Sequence, residues 1–281
     1  MRTAAAAVLL FLITGCGADV VTTEQPDVVT TEQPVADRYD GPLHVPVTQP
    51  DHTDPLGSSG AAGKALECSG DPYSGSTGDN FGVIGGHGSA VDALESFVGD
   101  EAALVPGRGY RAEREEQGRV LFSYDVDGKT KVAIIVADER TDFMGETGWS
   151  METFAQCDPA EFPAAVTDEL GIQVWVDNKG ERVPTTVLQS ARGPAHCEWD
   201  SATFLTFNGD TYVKDPHGVL PAEWFNITFD ADTTLPQDAN DTGYRLDRQE
   251  LWLAPDRSAA YIVTQQGVER WPAATDLVGC A

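Results

Sequence analysis

Residues 120–138 read VLFSYDVDGKTKVAIIVAD, and their pattern decides the class of fold. Val120–Tyr124 and Lys131–Asp138 are runs rich in β-branched and aromatic side chains, and Asp125-Val126-Asp127-Gly128 between them has turn chemistry. Such a pair reads as an antiparallel hairpin. The pattern recurs where Ile172–Val176 and Pro184–Leu188 flank Asp177-Asn178-Lys179-Gly180. It recurs again where Thr203–Phe207 and Thr211–Lys214 flank Asn208-Gly209, a dipeptide suited to the left-handed positions of a two-residue turn. Leu251–Leu253 and Ala259–Thr264 around Ala254-Pro255-Asp256-Arg257 complete the series. The clearest helix starts at Ser89, a good N-cap with Asp92 three residues on. It places Val91, Leu94, Phe97 and Val98 on one face and stops at Gly99. The fold class is therefore α+β, mainly antiparallel hairpins with few helices.

The N-terminus reads as a targeting segment. Arg2 precedes an apolar stretch from Ala4 to Ile13, too short to span a bilayer and suited to a signal peptide. Ile13-Thr14-Gly15-Cys16 resembles the lipobox of bacterial lipoproteins. The resemblance implies cleavage after residue 15, acylation of Cys16 and attachment to the membrane through that lipid, with the rest of the chain extracytoplasmic. No downstream segment reads as membrane-spanning, the longest apolar run being Val132–Ala137. Beyond the anchor, DVVTTEQP occurs at 19–26 and again at 27–34. Proline, threonine and acidic residues continue to Pro55 before GSSGAAG at 57–63. This composition reads as a disordered acidic stalk that, with the lipidated residue, fills 16–66 and reaches roughly 40 Å as a flexible coil.

The chain has 281 residues, 41% of them hydrophobic, enough for an ordinary core. Its formal charge of −27 leaves too few basic groups for a phosphate-binding face, which excludes nucleic acid as a partner. Without Cys16, the body holds Cys68, Cys157, Cys197 and Cys280, an even set consistent with an oxidising compartment. None has the close spacing of a zinc knuckle or a thioredoxin motif.

Two segments repeat an order of features. The first runs from Cys68 through Gly109-Tyr110-Arg111, a hairpin and Trp149 to Cys157. The second runs from Cys197 through Gly243-Tyr244-Arg245, a hairpin and Trp271 to Cys280. This order points to two similar halves, a first α+β half at 67–162 and a second, mainly β half at 163–281. Coincidence is the other reading, since GYR is short and hairpins are common. If the halves are repeats, each closes its own loop, pairing Cys68 with Cys157 and Cys197 with Cys280, one of three connectivities open to four cysteines. Gly148-Trp149-Ser150-Met151-Glu152, Gln156-Cys157-Asp158-Pro159-Ala160-Glu161-Phe162, Leu251-Trp252-Leu253-Ala254-Pro255-Asp256 and Glu269-Arg270-Trp271-Pro272 resemble segments of uncharacterised secreted lipoproteins of high-GC actinobacteria. The excess of arginine over lysine fits that source. The resemblance carries no known activity and no catalytic residues.

Candidate chemistry is sparse. The elbow G-x-S-x-G, H-E-x-x-H and the P-loop are absent from the sequence. Ile84-Gly85-Gly86-His87-Gly88-Ser89 is a glycine-rich approach to a helix. His87 or His196 beside a carboxylate would suit a secreted hydrolase. Asp230, Asp232 and Asp238, with Asn240 and Asp241, crowd one stretch whose oxygens suit calcium in a structural module, against the plainer reading of a solvated acidic loop. Period-two alternation sets Trp175 opposite Ile172, Val174 and Val176, and Trp252 opposite Leu251 and Leu253. These two tryptophans are the candidates for an exposed platform that stacks on envelope glycan or a protein partner, with a covered core as the alternative. The expectation is a lipid-anchored, non-catalytic binding protein of the cell envelope, without a cofactor unless calcium occupies the acidic loop.

Overall fold

The computed structural model describes residues 39–47, 54–78, 86–100, 103–141 and 145–275. The hairpin of 120–138 lies at the heart of the first sheet, as strand β3 (Arg119–Val126) and strand β4 (Lys129–Thr141). Val126 pairs with Lys129, so the turn is tighter than the sequence suggests: only Asp127 and Gly128 lie outside the ladder, at φ 50° and 74°. Positive φ at both positions matches the twist of the flanking strands. Around this hairpin, β1 (Pro72–Thr77), β2 (Arg111–Glu116) and β5 (Thr147–Cys157) complete an antiparallel sheet of order β1-β5-β4-β3-β2.

Both faces of that sheet are covered, which explains why Val132–Ala137 is apolar without alternation. Val132, Ile134 and Val136 face helix α3 (Ala90–Val98), together with Tyr110 and Phe162. α3 forms as its sequence reads except at Val91, expected on the buried face but 38% exposed, while Ala93 is buried. Ser89 Oγ accepts the Asp92 N–H, Leu94 and Phe97 are buried, and Gly99 ends the helix. Ala133 and Ile135 face the other way, against Leu43 and the short helix α2 (Gly60–Ala65).

Here the expected stalk fails in part. Helices α1 (Pro55–Ser58) and α2 occupy 55–65, and Leu43 is 2% exposed, so folded structure reaches well before residue 67. Composition misleads because the small residues serve contact rather than flexibility. Gly60, Ala61, Ala62, Gly63 and Ala65 are all buried, and a Cβ on Gly60 would stand 2.8 Å from the Val45 carbonyl oxygen. The tandem repeat at 19–34 and Cys16 lie outside the described residues.

The rest of the described chain forms two further antiparallel sheets. One is β6 (Gln173–Val174), β7 (Leu188–Arg192), β8 (Thr203–Phe207) and β9 (Asp210–Lys214), in that order. The hairpin expected between 172–176 and 184–188 is displaced. Val176 meets Arg182 across the turn, but β6 pairs with β7 two residues or more beyond it. Pro184 has no N–H for a ladder, and its carbonyl instead accepts from Val187 and Leu188 in a local turn. Asn208 and Gly209 join β8 to β9 at φ 50° and 88°, as expected.

The last sheet holds β10 (Asp230–Thr233), β11 (Asn240–Leu246), β12 (Gln249–Leu253), β13 (Ala259–Val263) and β14 (Val268–Pro272), ordered β10-β14-β13-β12-β11. It packs face to face on β6–β9 around Trp175, Leu188, Leu205, Tyr212, Leu251, Ile262 and Trp271. The class is thus confirmed as sheet-rich and antiparallel with few helices.

The two parts are joined by a packed connection. Helix α4 (Ala164–Glu169) lays Val166 on the first core. The Arg182 guanidinium donates to Thr167 Oγ1 at 3.3 Å, and Gln189 Nε2 donates to Tyr73 Oη at 3.4 Å.

Candidate functional site

Cys68 and Cys157 form a disulfide across the end of the first sheet, with Cys157 fully buried. Beside it, Lys131 Nζ lies 2.6 Å from Glu161 Oε2 and also donates to the Glu67 carbonyl. Glu161 accepts from the Ser69 and Gly70 N–H groups as well, so the residues just after Cys68 are held by its carboxylate. Both sulfurs and Glu161 come within 4.8 Å of one another, but the sulfurs are bonded together and the carboxylate belongs to Lys131. Desolvation works against the Glu161 charge. Lys131 and the Ser69 N–H outweigh it and hold the pKa below the ordinary 4.5. A depressed carboxylate stabilises the fold fully above its unfolded value and loses that contribution as pH falls through the folded one. Urea midpoints measured downward from pH 6 should therefore drop below about pH 4.5. In Glu161→Gln the acid limb should be shallower and the neutral-pH midpoint lower. A limb unchanged by the substitution would show that other carboxylates carry the acid sensitivity.

Two small cavities lie against the first sheet. One, of about 130 Å³, lies between residues 43–47 and the sheet, where Glu152 gathers two arginines and a histidine. Arg119 contacts both oxygens of Glu152 at 2.6 and 3.0 Å, His44 Nδ1 stands 3.2 Å away, and Arg140 Nη1 is at 3.9 Å. Three basic groups thus converge on one carboxylate that is 12% exposed. The His44–Glu152 hydrogen bond ties the 39–47 segment to β5.

The other cavity, of about 160 Å³, opens between the loop before β2 and α4. Pro106 and Gly107 form one wall, Ala165, Val166 and Leu170 the other, and Tyr124 of β3 stands between them. Gly109, at φ 90°, brings the loop close over that ring, since a Cβ there would lie 3.1 Å from Tyr124 Cε2. Burial, with the Glu169 charge adding to it, raises the Tyr124 hydroxyl above 10.0, so it stays a neutral phenol. Arg108 and Glu169 meet across the two walls at 3.2 Å, with side chains 58% and 53% exposed. The result is a partly open hollow of mixed apolar and polar lining, with one cation and one anion at its mouth.

The residues singled out in the sequence do not converge. Trp175 is 1% exposed and its indole N–H donates to Ser190 Oγ, so it belongs to the core between the last two sheets and offers no platform. The reason is that its ring lies on the side packed against the last sheet, with Leu188, Leu205 and Leu251. Trp252 is half-buried, packed with Ala254 and Tyr261, and donates to Glu250. His87 pairs through its backbone with Trp149, and its Nε2 is buried without a partner among the described residues. His196 is exposed on the short 3-10 turn 195–197. No described hydrogen bond or ion pair joins either ring to a carboxylate.

Asp230, Asp232 and Asp238 do not bring three ligand atoms within 4.8 Å of one another among the described residues. Asp230 instead faces Arg270 at 3.7 Å, and Asp241 holds Arg245. Cys197 is disulfide-bonded, and Cys280, the partner expected for it, lies outside the described residues.

Sequence reading missed Arg108, Tyr124, Glu152 and Glu169 as site residues. A signal existed in Pro106-Gly107-Arg108-Gly109, a turn-rich loop carrying a single charge, but its opposing wall at 165–170 lies far along the chain. No family model, curated protein or solved structure matches this chain.

Proposed function

We propose that this chain is a lipid-anchored extracytoplasmic protein with a non-catalytic binding role at the cell envelope. The observation that carries the binding half of this reading is the cavity beside α4, a hollow of mixed lining whose charged groups, Arg108 and Glu169, are both well exposed at its rim. Such a seat holds and orients a small molecule. Export is supported by the Cys68–Cys157 bridge, and anchoring by the lipobox that ends at Cys16. Labelled palmitate fed to cells should enter the wild-type protein, and the signal should fall to background in Cys16→Ala. Equal labelling of the two would remove the anchor from this reading.

The body is further proposed to derive from a duplicated sheet. In each five-stranded sheet the first strand pairs with the fifth and the order then runs backwards to the second. Gly109 and Gly243 both take positive φ, at 90° and 79°. The arginines two residues on, Arg111 and Arg245, each hold two carboxylates. In the first copy α3 lies within the connection from the first to the second strand, where the second copy has only 234–239. In this reading Cys197–Cys280 closes the second half as Cys68–Cys157 closes the first.

A further inference from the structure

We infer that the cavity between the Pro106–Gly109 loop and α4 is a seat for a free α-amino acid with an apolar side chain, its carboxylate on Arg108 and its ammonium on Glu169. The inference rests on the binding reading above and gives it a ligand class. Volume sets the side chain. A cavity of about 150 Å³ is large enough for benzene, so this partly open hollow of about 160 Å³ has room for an isobutyl or phenyl group. The apolar part of its lining is Pro106, Ala165, Val166, Leu170 and the Tyr124 ring, and Gly107, Arg108 and Glu169 complete it.

The rim sets the head group. Arg108 and Glu169 stand 3.2 Å apart. The nitrogen and carboxylate of an α-amino acid are separated by two bonds, roughly 2.5–3 Å. A zwitterion laid antiparallel to the ion pair therefore meets both charges at once, and four alternating charges close a ring. A ligand carrying one charge would pair with one rim group and face the like charge of the other. Opening the rim costs little, because an ion pair this exposed contributes little to stability. The guanidinium offers the fork that carboxylates accept in a bidentate manner.

The test is calorimetric titration of the full-length chain in detergent solution. L-leucine and L-phenylalanine should bind at one site per chain. Glycine, which lacks the side chain, should be weaker by about ten-fold or more. So should isoamylamine and 4-methylpentanoate, which each keep one charge. Arg108→Gln and Glu169→Gln should each weaken leucine by about ten-fold, and Ala165→Trp, at an exposed position on the wall, should block it. Unchanged thermal midpoints for these surface variants would confirm that the fold is intact. Silence for both amino acids up to about 10 mM overturns the inference. So does a single-charge analogue that binds as well as leucine, or leucine binding that ignores Arg108→Gln. Acylation of Cys16 is read separately, so a silent titration with intact labelling removes this ligand and leaves the anchored protein standing.

Discussion

Replacing both Cys68 and Cys157 by alanine is expected to lower the unfolding free energy by about 4 kcal/mol. The bridge spans 89 residues and so encloses the whole first sheet together with α3. A loop of that length restrains the unfolded chain by about 4.5 kcal/mol on the loop-entropy scale. Alanine is the right replacement because Cys157 is fully buried, and a serine hydroxyl there would add a desolvation cost of its own. The double variant is preferable to a reductant because Cys197 is also disulfide-bonded and would be reduced too. Urea unfolding followed by far-UV circular dichroism supplies the measurement. A loss under about 1 kcal/mol would mean that packing and the Lys131–Glu161 pair hold the end of the sheet without the bridge.

Much of this architecture is legible in the chain. Three of the four expected hairpins stand where alternating or β-branched runs flank turn residues, because a tight turn and its two strands are neighbours in sequence. The fourth fails at Pro184, where a residue without an N–H interrupts the ladder. Contacts distant in sequence left weaker traces. Folding of 55–65 onto the sheet depends on small residues meeting Ala133, Ile135 and Ala155 from far along the chain, and GSSGAAG by itself reads as a linker. Trp175 could be assigned to a face by alternation, but which faces are covered depends on the last sheet. The candidate site is the extreme case. Arg108 and Glu169 lie 61 residues apart, and neither belongs to a motif.

The connection between the two parts turns on one carboxylate. Asp158 follows the last residue of β5 and is 5% exposed. Its Oδ1 accepts from the Ala160 N–H at 2.8 Å, the Thr185 N–H at 2.9 Å and Thr185 Oγ1 at 3.0 Å. Its Oδ2 accepts from the Thr186 N–H at 3.2 Å and, more weakly, from Thr186 Oγ1 at 3.4 Å. A short turn in the first half is thus capped by the same group that orients the start of β7 in the second. Asp158→Ala leaves the Ala160, Thr185 and Thr186 N–H groups without this acceptor. At about 1–3 kcal/mol for each buried unsatisfied donor, the expected loss is about 3–5 kcal/mol.

Asp158→Asn keeps one acceptor oxygen but turns an amide NH₂ toward donors on the other side, so it should fall between wild type and alanine. Thr186→Val, which removes only the weakest contact, should cost less than about 1 kcal/mol. The two large losses should also differ in form. The cysteine variant relaxes a loop inside the first half, whereas Asp158→Ala cuts the tie between the halves. Urea unfolding of Asp158→Ala, followed by tryptophan fluorescence, should therefore broaden or divide into two steps, since five of the six tryptophans lie in the second half. A single sharp transition within about 1 kcal/mol of wild type would show that packing of α4 and Arg182 couples the halves without Asp158.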